Sequence, residues 1–279
     1  MQQQHSINVL CRVLEVNRST YYKHFSKTIA PRVLENQELR SKILTIYSSS
    51  QKRLGAYKIC RRLFVEYGIS ISPGRVYRLM KSMQLPKMST VKPVFRSSSD
   101  NTDSEYCNLL NKQFNPDMPN LVWVSDITFV KVQSQFSYVC VIIDLFSRKV
   151  ISYKASNRIN TALVLDTFNS AYVKRGCPSG VIFHSDRGSQ YTSADFRKSL
   201  DNVNFVQSFS AKAHPYDNAV AESFFKYLKK ELLNRNSFSS LSQLKLSLFE
   251  YIDGFYNPRR PHYANNLLSP DEKEVVFFN

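Results

Sequence analysis

Three apolar runs of strand length follow one another almost without a break: LVWVSDITFVKV at 121–132, FSYVCVIIDLF at 136–146 and KVISYKA at 149–155. Joints this short leave no room for a crossover, so the runs predict an antiparallel meander. The period then changes: 160–174 reads as a helix, VIFHS at 181–185 has the length of a buried strand, SADFRKSLDN suggests a helix, NFVQSF another strand, and a long helix begins near Asp217. This order describes an α/β domain, a mixed sheet with flanking helices. Trp123, the one tryptophan, is expected to anchor its core.

The first third of the chain is different in kind. Residues 1–99 hold 18 Lys and Arg against four acids, which places +14 of the formal net charge of +16 there. That excess calls for a polyanionic partner. Ile7, Leu10, Cys11 and Leu14 recur at helical spacing, and Asn17 or Ser19 can cap a second short helix, so 1–30 reads as a partial helix-turn-helix segment. Helices are expected over 34–47 and 56–67, the latter ended by Gly68. Ser72 then stands at an N-cap with Pro73 at the first helical position; Val76, Tyr77, Leu79, Met80 and Met83 supply the apolar face, and Arg75, Arg78 and Lys81 line the other. Two short helices joined by YGISIS, the second basic outside, fit a small all-α helix-turn-helix-type region that reads the DNA major groove. The alternative is a three-helix domain with an ordinary solvated basic face.

The divisions that follow are 31–90 for the basic helical DNA-binding domain, 91–120 for a linker rich in Pro, Ser, Asn and Asp, 121–235 for the α/β core and 236–279 for a C-terminal helix and tail. Five scattered cysteines, none in CxxC spacing, read as reduced thiols, and the five histidines form no zinc pattern with them. With no signal peptide and no uncharged run of membrane length, the expected location is the cytoplasm, in association with the nucleoid, and no membrane partner is expected.

Asp126 interrupts an apolar strand, where an ionised carboxylate costs several kcal/mol unless it is paired or binds a cation. A bond to Thr128 on the same face, or an edge position, would also account for it. Asp186 follows the VIFHS strand within DRG, which alone is often a turn, and Glu222 lies early in the last long helix, where an acid already favours the dipole. Together, a strand middle, a strand end and the following helix can converge on one end of a sheet. Three carboxylates crowded there raise one another's pKa and call for cations. Oxygen ligands of this kind suit Mg2+ or Mn2+, and two such ions, about 3.5–4 Å apart, can activate one oxygen and stabilise the other in an in-line phosphoryl displacement. Asn218, Glu222, Lys226 and Lys229 share one helical face, so Lys226 and Lys229 are candidate DNA contacts, an intrahelical Glu222–Lys226 ion pair being the plainer alternative. His184, two residues before Asp186, either orients DNA or metal-bound water or is a packed strand histidine.

The blocks WVSDIT, HSDRGSQYTS and YDNAVAESFFKYLKKEL resemble the three catalytic blocks of bacterial insertion-sequence transposases of the DDE, retroviral-integrase superfamily, in the two-frame frameshifting group. Thirty-five residues separate Asp186 from Glu222, the superfamily's familiar interval, and Lys229 stands seven positions beyond Glu222 as the group's pattern has it. The resemblance runs from the basic helices at 36–83 to YNPRRPHYANNLLSP near the C-terminus. It implies a ribonuclease H-like fold, Asp126, Asp186 and Glu222 as catalytic metal ligands, Mg2+ or Mn2+ with two ions per site, and metal-activated water that exposes a 3′-hydroxyl for strand transfer. The implied partners are DNA (element ends and target), further copies of the chain on DNA, and the upstream-frame product, since the sequence starts close to where the group's second frame starts. In the C-terminal block Tyr256, Asn257, Arg260 and His262 match, and Arg259, Arg260 and His262 are candidate phosphate contacts; the alternative there is helix termination at Pro258 and a surface tail.

The sequence departs from the pattern at Ala213, where Gly is usual, and at Asn265 and Asn266, where Leu and Gly are. Asp144 in VIIDLFSRK lies outside the triad and is expected in a turn with Ser147 or Arg148. The competing readings are a catalytically silent DNA-binding regulator and a ribonuclease H-type nuclease. A tyrosine or serine recombinase is least supported, because the 16 tyrosines come without a matching Arg and His constellation.

Overall fold

The computed structural model describes residues 6–25, 31–85, 107–111, 113–210 and 215–279, and the chain forms two compact units, Met1–Lys87 and Met88–Asn279. Ala213 and most of the 91–120 linker lie outside the described residues.

The first unit is all helical: α1 (Ile7–Val13), α2 (Arg18–Phe25), α3 (Pro31–Ser49), α4 (Ala56–Tyr67) and α5 (Pro73–Ser82). Helices α3, α4 and α5 pack on one another through Leu39, Ile43, Ile46, Ile59, Leu63, Val76, Leu79 and Met80. Gly68 ends α4 at φ 67°, a left-handed conformation that costs an L side chain energy, and the Ser72 hydroxyl accepts from the Arg75 N–H to start α5. Asn17 caps α2 by accepting from Ser19. Tyr77 is a correction: it stands 41% exposed, because the buried face of α5 follows positions 76, 79 and 80, a stripe that bypasses 77.

In the second unit the strands are β1 (Val122–Val132), β2 (Gln135–Asp144), β3 (Val150–Ser156), β4 (Ile182–Ser185) and β5 (Val206–Phe209), ordered β3-β2-β1-β4-β5. The meander pairs antiparallel, whereas β4 runs parallel to β1 and β5 parallel to β4, so the sheet is mixed. Helices α6 (Thr161–Lys174), α7 (Ser189–Thr192), α8 (Ala194–Asp201), α9 (Ala219–Glu231), α10 (Leu241–Tyr251), α11 (Asn257–Arg259) and α12 (Pro270–Phe278) complete it. Trp123 is fully buried, edge-on to Phe205 in a cluster with Leu163, Val164 and Phe168 of α6. Strand alternation therefore sends Trp123 and Ser125 to the α6 side, and Val124, Asp126 and Thr128 to the opposite face. Helix α9 packs against β1.

The C-terminal segment is no surface tail. A wide helical turn, Ile252–Tyr256, links α10 to α11 and buries Ile252, Phe255 and Tyr256. Asn257 exchanges two 3.0 Å hydrogen bonds with the backbone of Val150, and the Asn265 amide donates to the Ser147 carbonyl at 2.6 Å. Asn266 takes φ 53°, which Asn tolerates better than most L residues, so it can stand where glycine is usual. Helix α12 opens with a Ser269–Glu272 capping box, and its Glu274 accepts from Ser147 at 2.9 Å, Lys149 at 3.0 Å and Arg175 at 2.5 Å. Arg175 also holds the fully buried Asp144 at 2.7 Å. Asp144 is thus a structural acid: it opens the expected turn, where the Arg148 N–H donates to its carbonyl at 2.9 Å, while its ion-pair partner comes from the end of α6.

Candidate active site

Asp126 is carried by the middle of β1, Asp186 follows β4 by one residue, and Glu222 sits in the first turn of α9. The parallel pairing of β4 with β1, which sets Val124 opposite His184, brings the first two chain positions to the same end of the sheet. Asp126 is half-buried and its Oδ1 accepts from the Ile127 N–H at 2.7 Å; Asp186 and Glu222 are exposed. Burial pushes the Asp126 carboxyl up to about 7, with repulsion from Asp186 and Glu222 adding to the rise, while the Ile127 N–H and the Lys229 charge oppose it. Burial also raises Glu222. Asp126, Asp186, Glu222 and Lys229 therefore share one electrostatic neighbourhood.

Several side chains brace these positions, of which Ser125 and Tyr191 did not stand out in the sequence and Asn218 did, by its helical register with Glu222. The Ser125 hydroxyl donates to the Val141 carbonyl at 2.9 Å and is 2.8 Å from the Tyr191 hydroxyl, fixing the backbone beside Asp126. Tyr191 is buried and lies just beyond the DRG turn, so one contact couples the approach to Asp126 with the segment carrying Asp186. Asn218 is a positioning residue: its amide donates to the Ser125 carbonyl at 3.0 Å, and its side chain does not cap α9. Its Oδ1 is buried with no hydrogen-bond partner among the described residues. Arg187 donates from Nε to the Ser210 carbonyl.

At the turn, Gly188 N–H donates to Asp186 Oδ1 at 3.0 Å. A Cβ at Gly188 would stand 2.8 Å from Gln190 Oε1 and 3.0 Å from Asp186 Oδ1. Gln190 can swing away, but the carboxylate must shift. Gly188→Ala is accordingly expected to slow any reaction that needs the Asp186 carboxylate in place about 10- to 100-fold, the scale of a displaced group, while thermal unfolding barely changes. An unaltered rate in a single-turnover assay would show that the carboxylate tolerates the shift.

Other candidates fall elsewhere. His184 is fully buried, its Nδ1 2.9 Å from the Ser208 hydroxyl and its Nε2 3.0 Å from the Ser210 hydroxyl. Burial lowers it to about 4, partly offset by Asp217, so a neutral packed histidine is what the geometry carries. Lys226 is exposed and makes no ion pair with Glu222 among the described residues, and Lys229 Nζ lies 5.3 Å from the centre of the Phe129 ring. Arg78, Lys81 and Arg259 are exposed; Arg75 pairs with Glu35 at 2.9 Å and Asn36 at 3.0 Å, which leaves its guanidinium partly engaged. His262 is half-buried, edge-on to Tyr256. Arg260 is the clear correction. It is 2% exposed, bonded to Glu231 at 2.7 and 3.0 Å and stacked 4.1 Å from the centre of the Tyr227 ring, so it cannot meet a phosphate without dismantling the core. Attraction to Glu231 outweighs desolvation and raises its pKa.

Among the described residues, no three carboxylate, imidazole or thiol groups stand close enough to hold one ion together. The residues nevertheless fit hydrated divalent cations, which need only one or two carboxylates each, with water and substrate phosphate completing the shell. Burial is the larger cause of the rise at Asp126, and the smaller repulsion from Asp186 and Glu222 is the part a cation would relieve.

A mixed sheet with acids on β1, after β4 and on α9, preceded in sequence by a basic helical unit, defines an integrase-type nucleic acid enzyme. Residues 116–215 and 205–270 match two integrase core domain families, and 34–92 match an HTH-like domain. A transposase for insertion sequence element IS904 of Lactococcus lactis subsp. lactis (strain IL1403) is 34% identical over 241 residues, covering 86% of this chain and 95% of that protein. Transposase InsF for insertion sequence IS3A of Escherichia coli (strain K12) is 34% identical over 276 residues, covering 98% and 95%. The HTLV-2 integrase catalytic core domain, solved in complex with magnesium, aligns at 16% identity and a TM-score of 0.42 over 57% of this chain and 98% of that one. The chain belongs to the insertion-sequence transposases, with a ribonuclease H-like integrase core of the DDE polynucleotidyl transferase type.

Proposed function

We propose that Asp126, Asp186 and Glu222 hold Mg2+ or Mn2+, two ions per site, and that the site cuts the DNA ends of an insertion sequence and joins the 3′-hydroxyls to target DNA. The observation that carries this reading is geometric: β1, the end of the parallel-paired β4 and the first turn of α9 bring Asp126, Asp186 and Glu222 to one end of the sheet, near enough for the latter two charges to act on Asp126. The bound ions would supply Lewis acidity and a more acidic water. This chain's own groups do the positioning: Ser125 and Tyr191 fix the strand under Asp126, the Gly188 backbone N–H holds the Asp186 carboxylate, and Asn218 ties the start of α9 to β1. Lys229, held near the acids but repelling cations, suits substrate phosphate. Lys226, Arg259 and His262 would contact DNA from the second unit; within the first unit Arg78 and Lys81 would do so, with Arg75 where its guanidinium is not taken by Glu35. The family resemblance supports an oligomer on DNA and an upstream-frame product as partner. No described helix is long and apolar enough to cross a membrane.

The test is a nicking and joining assay of the purified chain on DNA carrying the element's ends, with and without Mg2+ or Mn2+. Metal-dependent nicking lost in Asp186→Asn and in Glu222→Gln supports the reading. A chain that binds those ends but never nicks them would be the silent regulator, and preferential cleavage of RNA–DNA hybrids without joining would be the nuclease.

Residues 1–99 carry nearly all the net charge, so their deletion is expected to weaken nonspecific DNA binding and flatten its salt dependence, since each neutralised phosphate releases counterions. Binding isotherms of 107–279 across a salt series decide this; an unchanged affinity and slope would move the docking surface to the second unit.

A further inference from the structure

We propose that a pocket beside the candidate active site takes an unpaired nucleobase of the DNA next to the phosphate being cut; this rests on the DNA-cutting reading above. The pocket, about 570 Å³, lies between the β1–β2 hairpin and the segment after α9, with Phe129, Phe136, Lys131, Lys229, Asn234 and Asn236 among its lining. Phe129 and Phe136 are 59% and 54% exposed and stand edge to face at 5.4 Å. Two large aromatic rings left open in this way are costly on a finished surface, and they offer a base a flat face. Lys229 Nζ is 5.3 Å from the centre of the Phe129 ring, so a cation already flanks the stacking surface. Two lysines and no acid line the pocket, which suits a nucleotide's phosphate, and its lining includes the Asn234 amide, which carries both donors and an acceptor for a base edge, beside Asn236, whose Nδ2 donates to the Leu232 carbonyl at 2.8 Å. The wall is anchored: Gln133 N–H donates to the Phe238 carbonyl at 3.0 Å, and Val132 bridges to Phe238. Lys229 also acts on Asp126 and stands about two turns beyond Glu222 on α9, so a base held beside Lys229 belongs to a nucleotide close to the acids. A paired base cannot reach these rings, because its faces are covered by its neighbours in the stack. The pocket therefore selects DNA that is frayed or unpaired at the cut.

The experiment compares binding and metal-dependent cleavage of fully paired element-end DNA with the same DNA unpaired beside the cut, and with an abasic version of the unpaired strand. Wild-type protein should favour the unpaired substrate over the abasic one about 5- to 100-fold, the range of one base stacked on an aromatic ring. Phe129→Leu and Phe136→Leu keep apolar bulk but lack a ring face, and should erase that preference while still cleaving paired DNA. A 5-iodouracil at the unpaired position should photocrosslink to Phe129 or Phe136. Equal handling of unpaired and abasic DNA by a wild-type protein that cleaves both overturns the pocket and leaves the function standing. Leucine variants that change the sedimentation of the free protein and not its base preference would instead make the rings a contact between copies, also overturning it. Absence of any metal-dependent cleavage overturns both readings.

Discussion

Asp126→Asn is expected to reduce metal-dependent strand cleavage on the order of a thousand-fold or more, the scale of losing one preorganised electrostatic contact in a reacting site, and at the same time to stabilise the metal-free protein at neutral pH. The two effects have one origin. Asp126 has its pKa raised in the folded state to about 7, from an ordinary value near 3.8. Between those values the folded chain binds more protons than the unfolded one, so the stability contributed by the protonated acid is complete below about 4 and is lost as pH rises through about 7. Asparagine has no charge to desolvate or repel. The melting temperature of Asp126→Asn should therefore exceed that of the parent at pH 8 without divalent ions, and the two should converge toward pH 4. Adding Mg2+ or Mn2+ should raise the parent's melting temperature and leave the variant's nearly unmoved. A variant that melts lower at pH 8 would mean that Asp126 is a packed structural acid.

Arg260→Ala is expected to destabilise the second unit by about 3–5 kcal/mol, because it strands the Glu231 carboxylate in the core. For a unit of this size that is a fall in melting temperature on the order of 10 °C. Glu231 is 3% exposed, Arg260 bonds both its oxygens and Oε2 also accepts from the Tyr251 hydroxyl at 2.8 Å, so it has no water to fall back on. Replacing both partners with apolar residues, Arg260→Met with Glu231→Leu, should recover much of the loss. Arg259→Ala, one position away and exposed, should leave the melting temperature unchanged. DNA binding below the unfolding transition would distinguish a surface role from a core one: a large drop for Arg260→Ala without thermal loss would return Arg260 to the phosphate path.

The contrast between these neighbours shows where sequence stops being readable. Strand and helix periods placed β1 to β5 and α9 within a few residues, because a half-buried strand must alternate and a mid-strand acid breaks that pattern conspicuously. The positions of Asp126, Asp186 and Glu222 on a strand, a strand end and a helix were legible for that reason. Arg260 was not, since an arginine beside an exposed arginine in NPRRPH carries no local sign of burial; its partner lies in α9 and its aromatic shelf is Tyr227. Asp144 likewise found Arg175 across a helix and a strand, a pairing set by the fold. Tyr77 was misplaced by treating every apolar residue of α5 as core, although the helical stripe excludes it. The braces Ser125–Tyr191 and Asn218–Ser125 join polar residues far apart in sequence; helical spacing marked Asn218 but gave no sign of its partner on β1.

The Glu274 cluster has a consequence for how copies of such a gene decay. All three acids have been translated by Glu222, yet Arg260 arrives 38 positions later and Glu274 52 positions later. Until they do, Glu231 lacks its counter-ion, and Asp144 and Arg175 lack the third member of their group. A nascent or prematurely stopped chain that carries every acid would therefore present an unfinished core to chaperones and proteases. In a damaged copy, a stop codon well downstream of the last acid should silence the protein as surely as the loss of the acid itself, through abundance and not through chemistry.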